Sequence, residues 1–175
     1  MKKLSGNTSG LKTTRIRNIE KLYRYRIPPE SIVTPQIIEK LSTLSRETNR
    51  QIGLLVNRSG KIISVIIGDH KQIMLPDTSE YRTPPGRLKG LRCIHTHLTD
   101  EKLTQDDLTD LTLLRLDLMA AITVTENGQA RHIHLANIFP NQSAAKPYQI
   151  HPPIDPGRLD VNCLELILSI ESEML

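Results

Sequence analysis

The sequence predicts an α/β fold of the α+β kind: a mixed, largely antiparallel sheet flanked by helices. Three observations predict it. Two short apolar runs, Leu91–Ile94 and Met119–Val124, bracket a polar stretch with a helix start at Thr104. Residues 91–124 therefore read strand, loop, helix, strand. Two apolar or β-branched runs flank Asn57-Arg58-Ser59-Gly60, the pattern of a hairpin. Asn127-Gly128 marks a second hairpin, because Asn-Gly tolerates positive φ.

In chain order, residues 1–10 are small and polar and read as a flexible lead-in. A helix starts near Thr13 or Thr14, with Ile16, Ile19 and Tyr23 at three- and four-residue spacing as its apolar stripe. Pro28-Pro29 stops it. Thr34-Pro35 opens the next helix, with Thr as N-cap and Pro at the first helical position. Ile37, Ile38, Leu41 and Leu44 give that helix a buried face up to about Asn49. The hairpin follows, Gln51–Val56 and Lys61–Ile67, then a short strand at Gln72–Leu75. A loop over Tyr81–Lys89, with Pro84-Pro85-Gly86, delivers the chain into the strand at Leu91. After Asn127-Gly128, Arg131–Phe139 returns as a strand. Pro140–Pro156 is a Pro-rich connection, and Asp160 caps a last helix carrying Val161, Leu164, Leu168 and Leu175. The domains are then a lead-in (1–10), one α/β domain (11–140), and a connection with a helix (141–175). The missing helix stop at the end is expected of a piece cut from a longer protein.

The length, 175 residues, suits one domain able to bury a real core. One Phe, four Tyr and no Trp leave Ile, Leu and Val to fill it. Cys93 in a strand and Cys163 on the last helix read as reduced and buried, which fits a cytosolic chain. No apolar run has the length of a membrane span, so no membrane partner is expected. MKKLSGNTSG lacks the apolar core of a secretory signal.

Charge is uneven. The chain is +4 overall, but residues 1–26 alone are +7 and the remainder −3. Lys12, Arg15, Arg17, Lys21, Arg24 and Arg26 give a basic helix suited to tracking phosphates, as in RNA. The plainer reading is a solvated basic face beside a packed apolar one.

His95 and His97 are two apart on a strand, so their side chains share a face. In α/β sheets ligands collect beyond the carboxyl ends of strands. Asp106, Asp107 and Asp110 lie on the following helix, whose first turn can return a carboxylate over the strand end. His95, His97 and Asp107 are thus a candidate zinc set. The same residues also suit a capping box, Thr104 with Asp107, and a helix dipole complemented by acids. His132 and His134 form a second pair on one strand face, read as an exposed face rather than as ligands.

Four long segments, GNTSGLKTTRIRNIEKLYRYRIPPESIVTPQ, SRETNRQIGLLVNRSGKI, RLKGLRCIHTHLTDEKLTQDDLTDLTLLRLDLMAAI and HPPIDPGRLDVNCLELILSIESEM, resemble the N-terminal extension of long-form HflX-type GTPases. The resemblance implies a cytoplasmic, ribosome-associated GTP-binding protein. Its partners would be the large ribosomal subunit or its RNA, and the GTPase portion of the same protein. The chain contains no GxxxxGK[ST] phosphate loop, so GTP and magnesium belong to a GTPase portion outside it. This portion is expected to be an accessory domain, not an enzyme, with no cofactor of its own unless zinc sits at the histidines.

His95-Thr96-His97, Thr104 and Asp107 also resemble the metal motif of the JAB/MPN (JAMM) metalloprotease fold. There, two His and an Asp hold a metal and an upstream Glu is the general base. Here the His97–Thr104 spacing is one residue short. Arg50 occupies the place of the base, three residues before Gly53, and Glu47 is out of register. The alternative function is accordingly a metal-dependent hydrolase using His95, His97 and Asp107, with Glu47 as a displaced base.

Overall fold

A computed structural model describes residues 4–81, 83–84, 87–140 and 166–174, of which 139–140 and 166–174 by backbone only. Its elements are β1 (Ser5–Gly6), α1 (Thr13–Glu20), a 3-10 turn (Lys21–Arg24), α2 (Pro35–Thr48), β2 (Ile52–Asn57), β3 (Ile62–Ile67), β4 (Leu91–His97), α3 (Gln105–Leu113), β5 (Leu118–Val124), β6 (Ala130–Pro140) and β7 (Leu166–Met174). The strands form one mixed sheet in the order β1-β3-β2-β4-β5-β6-β7. Only β1–β3 and β4–β5 run parallel; the other four pairings are antiparallel. The α/β fold with a mixed, mainly antiparallel sheet and flanking helices is therefore as the sequence predicts.

Helices cover both faces of the sheet. On one, Ile19 of α1 and Ile37, Leu41 and Leu44 of α2 pack on Ile52, Leu54, Ile94, Ala120 and Ile122. On the other, Leu111 of α3 packs with Leu55, Cys93, Met119 and Ala136. Burial on both faces is why β4 and β5 are buried at every position, without the alternation of a half-exposed strand.

The helix ends follow local chemistry. Thr34 caps α2, its side chain accepting from Ile37 N at 3.4 Å, with Pro35 in the first turn. Asn49 closes α2 in the left-handed region, φ 52°. The first helix ends at Glu20, well before Pro28-Pro29, and tightens into the 3-10 turn. That loop is instead fixed from inside. Buried Arg92 on β4 donates to the carbonyls of Ile27, Pro28 and Ser31.

Three further expectations are corrected. The start of the chain, from Leu4, is docked rather than free. Ser5 and Gly6 pair with Ile66 and Ile67, Asn7 N donates to Ile67 O at 2.8 Å, and Leu4 enters the core. Arg50 holds this segment by donating to the carbonyls of Asn7 and Ser9. Gln72–Leu75 forms no strand, because Asp69 closes a turn by accepting from Lys71 N and Gln72 N. Leu166–Met174 is strand β7, not helix, and pairs with β6 from His132↔Met174 to Pro140↔Leu166. Its Leu168-Ser169-Ile170-Glu171 alternation has period two, and pairing the open edge of β6 outweighs a loose helical stripe. Asp160, Val161, Cys163, Leu164, Leu175 and the Pro-rich connection fall outside the described residues.

Candidate metal centre

The site is assembled by β4, the loop after it and the first turn of α3. Strand alternation points His95 and His97 to the α3 side, their rings 4.8 Å apart between centroids. Thr104 N-caps α3 in a complete capping box with Asp107. Asp107 Oδ2 accepts from Thr104 N at 2.7 Å and from Thr104 Oγ1 at 2.8 Å. The plainer reading of Thr104 and Asp107 is thus correct, and it does not compete with the other. The cap is what aims the carboxylate at the histidines.

The three side chains converge. His95 Nε2 lies 2.9 Å from His97 Nε2 and 3.2 Å from Asp107 Oδ1. His97 Nε2 lies 3.4 Å from Asp107 Oδ2. All three residues are buried. Around a tetrahedral zinc ion, ligand atoms at the usual bond lengths are about 3.3 Å apart. The donor set fits such an ion. His97 Nδ1 lies 3.0 Å from the carbonyl of Glu101, which only accepts, so Nδ1 carries a proton and Nε2 is the nitrogen that would face a bound ion. His95 Nδ1 is buried without a hydrogen-bond partner among the described residues. A divalent ion held by His95, His97 and Asp107 would supply Lewis acidity and an exchangeable position, since three protein ligands are one fewer than a closed structural site uses.

Burial alone would raise the Asp107 carboxyl, but hydrogen bonds from His95 and His97 and from Thr104 N hold it far below the ordinary carboxylate range. Burial opposes charge on His97, yet Asp107 and the Glu101 carbonyl raise it above the usual imidazole value. Burial also pushes the Cys93 thiol well up, reinforced by Asp107 and Asp110, so this free cysteine is a neutral packing group.

Beneath the histidines, on the opposite face, Thr96 fixes the strand end. Its Oγ1 is 2.8 Å from Ser45 Oγ on α2 and accepts from Ile52 N at 2.9 Å. A groove of about 290 Å³ opens over the site. His97, Asp107, Asp106 and Asp110 line it on one side; Gln51, Lys71, Gln72 and Met74 line the other. Sequence reasoning names neither Gln51 nor Lys71, and it weighs Asp110 beside Asp106 and Asp107 before choosing Asp107 as the ligand. Only Asp110 carried a signal, sitting three residues beyond Asp107 on one helix face.

Glu47 is not among the groove residues. It pairs with Arg15 and lines a different hollow, with Lys21, Tyr25 and Lys40. A displaced base at Glu47 is therefore ruled out by position. Arg50 is turned to the carbonyls of Asn7 and Ser9. His132 and His134 share a face as expected, rings 5.9 Å apart, but His134 is buried rather than exposed. The ladders align them with Thr123 and Ala121, two strands from His97 and His95.

No family model, curated protein or solved structure matches this chain.

Of the predicted RNA-contacting cations, Lys12, Arg17, Lys21, Arg24 and Arg26 are exposed. Arg15 is half-buried by its pairing with Glu47. The apolar side of the same segment is consumed by packing, with Ile19 and Leu22 buried and Tyr23 OH accepting from Val65 N at 2.9 Å. Among the described residues no helix is long and apolar enough to cross a membrane.

Proposed function

We propose that this chain is the non-catalytic N-terminal accessory domain of a cytoplasmic HflX-type GTP-binding protein, docking on the large ribosomal subunit or its RNA. The observation that carries the reading is the exposed cationic ridge. Lys12, Arg17, Arg24 and Arg26 project outward and form no ion pair among the described residues. Of these only Arg17 lies within α1; Ile19 and Leu22 hold the segment to the core. Such a ridge lends itself to a polyphosphate surface, where released counterions drive binding. GTP and magnesium belong to the GTPase portion, which is the other expected partner.

The test is co-sedimentation with large ribosomal subunits across a salt series. Arg17→Glu with Arg24→Glu should weaken binding at least tenfold and flatten the salt dependence by about 1.5 units in log–log slope. Binding unchanged in the double variant defeats the docking role of the ridge.

A second reading, a metal-dependent hydrolase, draws support from one observation: His95, His97 and Asp107 converge beneath an open groove. Its proton acceptor would not be Glu47.

A further inference from the structure

We propose that Asp110 is the proton acceptor for solvent held at the open position of the His95–His97–Asp107 centre. The inference rests on the metal reading of that centre and assigns a role to a residue outside the ligand set. Three arguments carry it.

The first is position. Asp110 lies one helical turn beyond Asp107 on α3, so the two carboxylates share a helix face, and both line the groove with His97. The second is availability. Asp110 makes no hydrogen bond or ion pair through its carboxylate among the described residues, whereas Asp107 is committed to Thr104 and the histidines. The third is elimination. Across the groove stand Gln51 and Gln72, whose amides take no proton, and Lys71, a hydrogen-bond donor. Asp106 also lines the groove, but it is exposed, while Asp110 is half-buried. Burial first, then the negative charges of Asp107 and Asp106, hold the Asp110 carboxyl above its ordinary value, with His95 pulling the other way. That moves it toward the range in which a carboxylate exchanges protons with neutral water. The charged or titratable groups facing it are Asp106 and Asp107 on α3, His95, His97 and the neutral Cys93 on β4, and Lys71 across the groove.

The chemistry is a single proton transfer. A divalent ion held by His95, His97 and Asp107 would acidify water bound to it, and the Asp110 carboxylate would take that proton and become a carboxylic acid.

The test uses the whole chain loaded with zinc and, in parallel, with cobalt(II), whose visible spectrum reports ionisation of the solvent ligand. Elemental analysis should find one metal per chain in the wild type and in Asp110→Asn, and none in His95→Ala. The spectral pH midpoint should fall by about one unit in Asp110→Asn, because an anionic neighbour has been removed. Asp110→Glu should restore it, and Asp106→Asn should move it much less. A wild-type midpoint in Asp110→Asn overturns the assignment while leaving the metal centre standing. An equal shift in Asp106→Asn also overturns it, since the effect is then only summed charge. A wild type that takes up no metal overturns both the assignment and the centre beneath it.

Discussion

His97 and Asp107 set how the metal-free chain responds to pH. His97 is held above its ordinary 6.5, so its contribution to stability is complete below that value and is lost as pH rises through the folded one. Asp107 is held below its ordinary 3.8, so its contribution is present above that value and is lost as the medium is acidified further. The pair therefore supports the metal-free fold most between roughly pH 4 and 6.5. Zinc needs unprotonated imidazole, which reverses the upper limb. Urea melts with chelator should show lower stability at pH 8.5 than at 5.5, and melts with excess zinc the opposite order. The same trend in both series would sink the coupled site. His95, His97 and Asp107 were legible in the sequence because strand and cap rules each fix a direction. The fate of Glu47 was not, because its pairing with Arg15 joins two helices that only tertiary packing brings together.

At the level of elements, β4 presents histidines to one side and Thr96 to the other, and α2 is tied to it there. Thr96→Val keeps shape and β propensity but removes the oxygen that serves Ile52 N and Ser45 Oγ. Ser45 Oγ keeps the Arg50 carbonyl, but leaving the buried Ile52 N–H without this partner should cost about 1–3 kcal/mol in chemical denaturation. The strand end should loosen as well, so zinc affinity should fall although no ligand has changed. A loss below a few tenths of a kcal/mol would mean that Thr96 does not brace the site. Helix starts at Pro35 and Gln105 and both tight hairpins followed from cap and turn chemistry. β7 did not, because its pairing on β6 is a long-range choice that local period leaves open.

For the molecule as a whole, the least legible feature was the docking of its first residues. A polar lead-in gives no sign that Asn7 and Ser9 will meet Arg50. Gly6, at φ 87°, lies so close to the Ile67 carbonyl that any side chain would collide with it. Gly6→Val should detach β1, cost about 1–3 kcal/mol and raise amide exchange along β3. Unchanged exchange at Ile66 and Ile67 would show that β1 adds nothing to the sheet.

That docked segment has a partner in geometry. β1 and β7 occupy the two margins of the sheet, six inter-strand steps or about 29 Å apart. A load applied beside Ser5 crosses six ladders of interstrand hydrogen bonds before it reaches Met174. Bodies attached at the two margins would move as the arms of one stiff crossbar.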